Sequence, residues 1–435
     1  MSASPDSSSQ VVSQAGPRGL RGPRPRLLAT AFVLLFGLLN VITPARFLGS
    51  TGGDFRHYYD AAAEWLVGGS PFSVPGFDYP PLLAYLVGPF ALVPLETARV
   101  AWFFLSLLCL VLSAWGVWRW LGADWAALVA VGGVWSLAGT VRENLVLGQV
   151  NPLLLLLLVG ALAGRRRRPV LAAALLGVAT ALKLWPAFLF LGFLAKGQKR
   201  ALAVGVLTAG CLILGPLLLG RLFLPPPHLP VSSGYWMGTP APLNFSLPAV
   251  AARLAEPPVD SGNLPASWLS GNVAKGFRLA PKAALASLAS CFVVLLAGAL
   301  GVLRTLRRPR GRGSETNGRG EDFAWVAMIA VCTLAAPISW YHYQLFQFPA
   351  LALLVATLLR RRAWGGLGVA AVVAAGLTWS QVFAFGLYVE HHGWTAASPI
   401  ALWTSTSLVA GLNAGLLIWL LAEAQGLKGL RRSSG

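Results

Sequence analysis

Runs of apolar residues follow one another from Leu27 to about residue 422, each about as long as a bilayer is thick or somewhat shorter, with short basic clusters between them. Crossing about 30 Å of hydrocarbon takes about 20 apolar residues in a helix, the fold that satisfies its own backbone groups away from water. Such a chain has one economical solution, a bundle of helices in a membrane. With 56% hydrophobic and 11% charged residues it is too apolar for a soluble domain. The net charge of +19 does not point to nucleic acid, because the Lys and Arg residues lie in the connections between apolar runs, as they do on the cytoplasmic side of membrane proteins. No nucleic-acid partner is expected. The four cysteines, all within apolar runs, have neither disulfide nor zinc-ligand spacing and read as packing residues.

The predicted fold class is all-α, a polytopic bundle of about 12 spans including one short hairpin. Residues 1–26 read as a disordered cytoplasmic tail, 27–425 as one transmembrane domain and 426–435 as a second cytoplasmic tail. Arg18, Arg21, Arg24 and Arg26 precede the first run as they would in a signal peptide. The run is too long, however, and lacks a cleavage pattern, so it is expected to remain as a first span at about 27–48. An outer loop at 49–97 follows, with a piece from Leu82 to Val93 too short to cross and expected to lie along the interface.

Spans are then expected at about 98–118, 125–141 and 150–164, the last ending at Arg165 to Arg168. Pro169 to Ala195 lies between that arginine run and Lys196, Lys199 and Arg200. A single span would strand one basic cluster outside, so a hairpin turning near Lys183 and Pro186 is expected. Further spans fall at about 201–222, 283–303, 323–338, 344–359, 364–386 and 400–422, with a second outer loop at 223–280 expected to face the acceptor. On this topology Asp54, Asp60, Glu64, Asp78 and Glu143 lie outside, where acidic chemistry is available.

Five outer clusters are candidates for that chemistry. Asp54 precedes a helix carrying Arg56, Tyr58, Tyr59, Asp60 and Glu64; it suits an N-cap as well as a general base. The two tyrosines fit an interfacial belt or a substrate contact equally. Asp78-Tyr79-Pro80-Pro81 is a rigid turn into the interfacial piece. Arg142-Glu143-Asn144 and Gly148-Gln149-Val150-Asn151 offer amides that either hydrogen-bond sugar hydroxyls or cap the next helix. Lys183, within apolar sequence, costs about 2.5–3.5 kcal/mol at mid-bilayer and needs a partner or a route to the interface. It suits a phosphate as a point charge. Ser339-Trp340-Tyr341-His342 sets an imidazole among aromatics, without the ligand spacing of a metal site; no metal and no cofactor are expected.

Asp54-Phe55, Tyr58-Tyr59-Asp60, Asp78-Tyr79-Pro80-Pro81-Leu82, Gly148-Gln149-Val150-Asn151, Lys183-Leu184-Trp185-Pro186 and Ser339-Trp340-Tyr341-His342, in this order, resemble the C-type (GT-C) polytopic glycosyltransferases. The resemblance is to glycosyltransferase family 87, which includes polyprenyl-phosphomannose-dependent α-1,2-mannosyltransferases, and extends from about residue 30 to 400. It implies a polyprenyl-phosphate sugar donor, a lipid-linked or glycan acceptor, membrane lipids as surroundings and a bacterial plasma membrane with the site on its extracytoplasmic side. Asp54 would be the catalytic base and the reaction would invert the sugar. Lys183, His342 and Arg56 would hold the donor phosphate, with Tyr58, Tyr59, Asp78, Tyr79, Glu143, Gln149, Asn151 and Trp340 about the substrates. Tyr343 departs from the pattern, since many relatives carry a second histidine there. The rival readings are a glycolipid flippase without chemistry, which would favour paired broken helices near mid-membrane, a membrane scaffold, and the same fold acting on another sugar.

Overall fold

The computed structural model describes residues 38, 42, 53–223, 244, 246–255, 281–307, 316–336, 339, 341–378 and 399–425. All but two residues of the expected first span, both tails, Trp340 and most of the loop at 223–280 lie outside the described residues.

Among the described residues the regular structure is helical, and no strand forms. Helix α1 (Phe55–Leu66) leads through a 3-10 turn at Pro71–Ser73 to the short α2 (Leu82–Val87) and a second 3-10 turn, Gly88–Leu92. The interfacial piece therefore does not cross. It is broken at Gly88-Pro89, where proline has no backbone N–H to donate. The long α3 (Leu95–Trp120) follows, then α4 (Trp125–Leu137), α5 (Gly139–Leu147), α6 (Asn151–Gly164) and α7 (Pro169–Leu182). The chain turns at Lys183 into the 3-10 segment Trp185–Leu189 and α8 (Phe190–Ala195), then runs on through α9 (Lys199–Phe223), α10 (Leu247–Ala255), α11 (Pro281–Leu306) and α12 (Thr316–Ala335). A 3-10 segment, Tyr341–Gln347, leads directly into α13 (Phe348–Arg361), followed by α14 (Trp364–Thr378) and α15 (Pro399–Gln425).

Five described helices are long and apolar enough to cross a membrane, or six if α4 and α5, bent by 55°, count as one span. The protein is a multi-pass membrane protein. Several other apolar helices are shorter; α6 and α7, at 14 residues each, reach only about 21 Å. Residues 142–144, expected in an outer loop, are instead part of α5, which follows the bend at Ala138. Cys109 and Cys332 are buried as expected, whereas Cys211 is exposed on α9.

Helix α12 lies at the centre, with every residue from Phe323 to Ala335 buried. Helices α7 and α9 approach most closely where Gly177 meets the Gly205 backbone; a Cβ on Gly177 would lie 2.5 Å from the Gly205 oxygen. Small residues let backbones meet in a membrane, where dispersion rather than hydrophobicity holds helices together.

The hairpin forms as the basic brackets require. Arg165 and Arg166, before α7, pair with Asp322, and Lys196, after α8, donates to Glu321 at 2.9 Å. Both feet thus rest on the first turns of α12, at one end of the bundle. The buried Arg165 guanidinium also lies over the rings of Trp120 and Trp325, at 5.9 and 5.5 Å from their centroids. Arg360 with Asp124, and Arg361 with Glu423, tie α13 to the α3–α4 turn and to α15 at the same rim.

Candidate active site

The site is built where α1 meets the turn between α5 and α6. Gly148, which ends α5 in the left-handed conformation (φ 64°), leaves no room for a side chain: a Cβ there would meet the Phe55 Cβ at 2.6 Å. Gly53, also at positive φ, backs onto the Leu147 carbonyl in the same way. The contact is locked by Trp102 of α3, whose indole donates to the Gly148 oxygen at 2.9 Å while stacking on Phe55 at 5.2 Å. This brings the residue before α1 alongside the residues after α5.

Asp54 is not used as a helix cap. It occupies the N-cap position of α1 but makes no side-chain bond to the helix; its carboxylate instead accepts a hydrogen bond from the Gln149 amide. Gln149 is enclosed, and its Oε1 lies 3.1 Å from the hydroxyl of Tyr58, which is itself 2.9 Å from that of Tyr79. Burial pushes the Asp54 carboxyl above the ordinary carboxylate range, and the charges of His57 and Lys183 offset this only in part. Burial and the Asp54 charge push the Tyr58 phenol well above its ordinary value. Asp78, half-buried, is also raised by burial, with His57 opposing.

Two residues further on, Asn151 holds the cation. Lys183, 6% exposed, donates to the Asn151 oxygen at 2.7 Å. The Asn151 amide donates to Asn144, and the Asn144 amide to the backbone oxygen of His342, each at 2.9 Å. The ammonium lies 4.1 Å from the Tyr343 ring centroid and 5.3 Å from that of Tyr79; the imidazole of His342 packs edge-on with the Tyr343 ring, their centroids 4.9 Å apart. At these distances aromatic faces attract a cation.

The structure thus assembles Asp54, Tyr58, Tyr79, Gln149, Asn151, Lys183 and His342. It separates others. Arg56 is exposed and pairs with Asp60 at 3.6 Å on the far face of α1. Tyr59 braces α1 by donating to the Val93 oxygen at 2.9 Å, and Glu143 pairs with Arg142 at 2.8 Å. His57, Asn144 and Tyr343 join the site without having been assigned to it from sequence; Asn144 and Tyr343 stand within motifs already noted, and His57 adjoins both raised carboxyls. Among the described residues no group of three or more His, Cys, Asp or Glu side chains could hold a metal ion.

An acid and a buried ammonium held apart on one scaffold suit a displacement in which one group takes a proton and the other meets a departing anion. Two curated proteins are similar to the chain. One, the polyprenol-phosphate-mannose-dependent alpha-(1-2)-phosphatidylinositol mannoside mannosyltransferase of Mycolicibacterium smegmatis, is 28% identical over 372 residues, covering 79% of this chain and 78% of that protein. The other, of the same name, from Mycobacterium tuberculosis, is 32% identical over 174 residues, covering 34% of this chain and 40% of that protein. The family model of Glycosyltransferase family 87 matches residues 77–337, and the chain belongs to that family of glycosyltransferases.

Proposed function

We propose that the protein transfers mannose from a polyprenyl-phosphate donor to a lipid-linked acceptor, on the extracytoplasmic side of a bacterial plasma membrane. The donor and the phosphatidylinositol mannoside kind of acceptor follow the names of its relatives. The carrying observation is that Gln149 and Asn151, two residues apart, grip Asp54 and Lys183 respectively, joining an acid and a cation from distant parts of the chain.

In this reading the acceptor hydroxyl attacks the anomeric carbon of mannose as Asp54 takes its proton. The bond from that carbon to the phosphate oxygen breaks, and its electron pair leaves with polyprenyl phosphate. A single displacement inverts the anomeric centre. General-base assistance contributes about 10²–10⁴-fold. The Lys183 ammonium meets the charge that grows on the leaving phosphate, where a fixed cation in a dry site needs no reorganisation. His342 packs against the Tyr343 ring that also faces the ammonium. The extracytoplasmic placement rests on the basic clasp of Arg165, Arg166 and Lys196 marking the opposite, cytoplasmic end.

The test uses purified protein in lipid nanodiscs with radiolabelled polyprenyl-phosphomannose and a phosphatidylinositol mannoside acceptor. A donor-dependent glycolipid on thin-layer chromatography is expected from the wild type and none from Asp54→Asn. A fully active Asp54→Asn variant would remove Asp54 as the base.

A further inference from the structure

Among the described residues, Gln149 is the side chain hydrogen-bonded to the Asp54 carboxylate, and its polarity is fixed from behind. With Asp54 ionised, the amide must present its N–H to the carboxylate, which turns Oε1 toward Tyr58. Tyr58 has one hydrogen, which Oε1 accepts, so the Tyr58 oxygen is left to accept from Tyr79. Gln149 and Tyr58 are both enclosed, so bulk water does not substitute for any link.

A base must also be held after it has done its work. Once Asp54 carries a proton it becomes a donor, and an amide N–H facing it is mismatched. A half-turn of the terminal amide removes the conflict, since that torsion is broad and nearly two-fold. Oε1 then accepts from the protonated carboxyl, Nε2 donates to the Tyr58 oxygen, and the Tyr58 hydrogen swings to the Tyr79 oxygen. Asp54, Gln149 and Tyr58 stay bonded, the Tyr79 hydrogen turns away from Tyr58 at the part-exposed end of the row, and the one proton that changes owner is the proton taken from the acceptor.

We propose that Gln149, backed by the Tyr58 and Tyr79 hydroxyls, is a reversible hydrogen-bond wire that fits Asp54 in both its ionised and its protonated form. Gln149 is then a positioning residue. The proposal rests on Asp54 being the base. The charged and titratable groups that also face Asp54 are His57 on its own helix, Lys183 at the end of α7 and Tyr58 itself, with Asp78 beyond His57. None of them is bonded to the carboxylate among the described residues, so none replaces the amide when it is removed.

The test is the pH profile of kcat/KM for polyprenyl-phosphomannose, measured on the full-length enzyme and on Gln149→Leu, Gln149→Glu and Tyr58→Phe. Gln149→Leu deletes a charge-assisted bond to the ionised form and a weaker neutral bond to the protonated form, so the acid limb is expected to move up by about one pH unit and kcat to fall about tenfold. Gln149→Glu sets a second carboxyl against the first and moves the limb further in the same direction. Tyr58→Phe keeps the ring and cuts the wire one link back, so a smaller shift and a smaller loss of kcat are expected. A donor KM that rises while the acid limb stays at its wild-type position in all three variants would overturn the proposal. Should the Gln149 variants not fold, an unmoved limb and unchanged kcat in Tyr58→Phe overturn it alone. Activity in Asp54→Asn sinks the base assignment instead, whereas an inactive Asp54→Asn beside unmoved Gln149 profiles sinks the wire alone.

Discussion

Lys183 gives one of its three ammonium N–H bonds to the neutral side chain of Asn151, at 2.7 Å, rather than to a carboxylate. A buried cation bonded to a carboxylate would be neutralised before substrate arrived. Held by an amide and by aromatic faces, it is left to pair with an anion that arrives. Replacing Lys183 by Met is expected to lower kcat/KM for the donor by about 10²–10³-fold, the size seen when one fixed stabiliser of developing charge is removed. Lys183→Arg should not restore it, because a planar fork does not occupy the place of a point charge. Steady-state kinetics with labelled donor decide the matter; a Met variant within a few-fold of the wild type would show that the phosphate is held elsewhere.

The raised Asp54 carboxyl has a sign that stability can read. An acid whose folded pKa lies above its unfolded value adds stability at low pH and loses that contribution as pH rises through the folded value. At pH 8 the ionised group is therefore a cost to the fold. Asp54→Asn is expected to melt about 1–3 °C above the wild type at pH 8, with the gap closing toward pH 4. With Asp54 as the proposed base, activity runs the other way: the group works only when ionised, so the wild-type rate should fall on acidification before ordinary carboxylates titrate. Thermal melts of both proteins across pH check the first claim and initial rates the second.

Gly148→Ala places a methyl against the Cβ of Phe55 in a backbone conformation that side chains rarely adopt. Helix α1 must shift, and Asp54 with it. Since an error of about 1 Å in a reacting group can cost about 10²-fold, kcat should drop by that order while the donor KM changes little. Kinetics of an Ala variant that still reconstitutes will show whether the interlock matters.

At the opposite rim, Asp322→Ala leaves the Arg165 charge buried without its carboxylate and should cost about 3–5 kcal/mol. The melting temperature is expected to fall sharply while the surviving enzyme keeps its wild-type KM. Burial raises Glu321, but its hydrogen bond to Lys196, with the charges of Lys196, Arg165 and Arg166, outweighs this and lowers it below 4.5. Its stabilisation is therefore complete above that value and is lost as pH falls through the lowered folded value. A melting temperature that declines between pH 7 and pH 5 in wild type but not in Glu321→Gln would contradict this account.

Much of the architecture was legible because charge and length constrain it. The hairpin at Lys183 followed from basic residues at both ends, and the interfacial piece from its length and Pro89. Helix α5 was hidden: Arg142-Glu143-Asn144 looks like a loop, yet Asn144 is buried as a link to His342 and the charged pair lies beside it. The roles of Gln149 and Asn151 were half visible. Spacing shows amides before a helix but not what they face, so sugar contacts and caps were equally good readings until Asp54 and Lys183 were placed. The separation of Arg56 was available from helical phase alone: two residues turn the chain about 200°, away from Asp54, whereas Tyr58, four residues on, returns to its side. Trp102 carried no sequence signal, because its importance lies in reaching Gly148 from another helix.

The two feet of the hairpin share one anchor on α12, and this limits how the protein can move. A carrier that presents cargo alternately to each side must loosen first one end and then the other; here the lower end is riveted by three cations on two neighbouring acids. Lys183 stands at the turn of the hairpin, away from that anchored end. In the proposed reaction turnover then begins and ends on a single surface, with spent lipid carrier leaving sideways by the way it came.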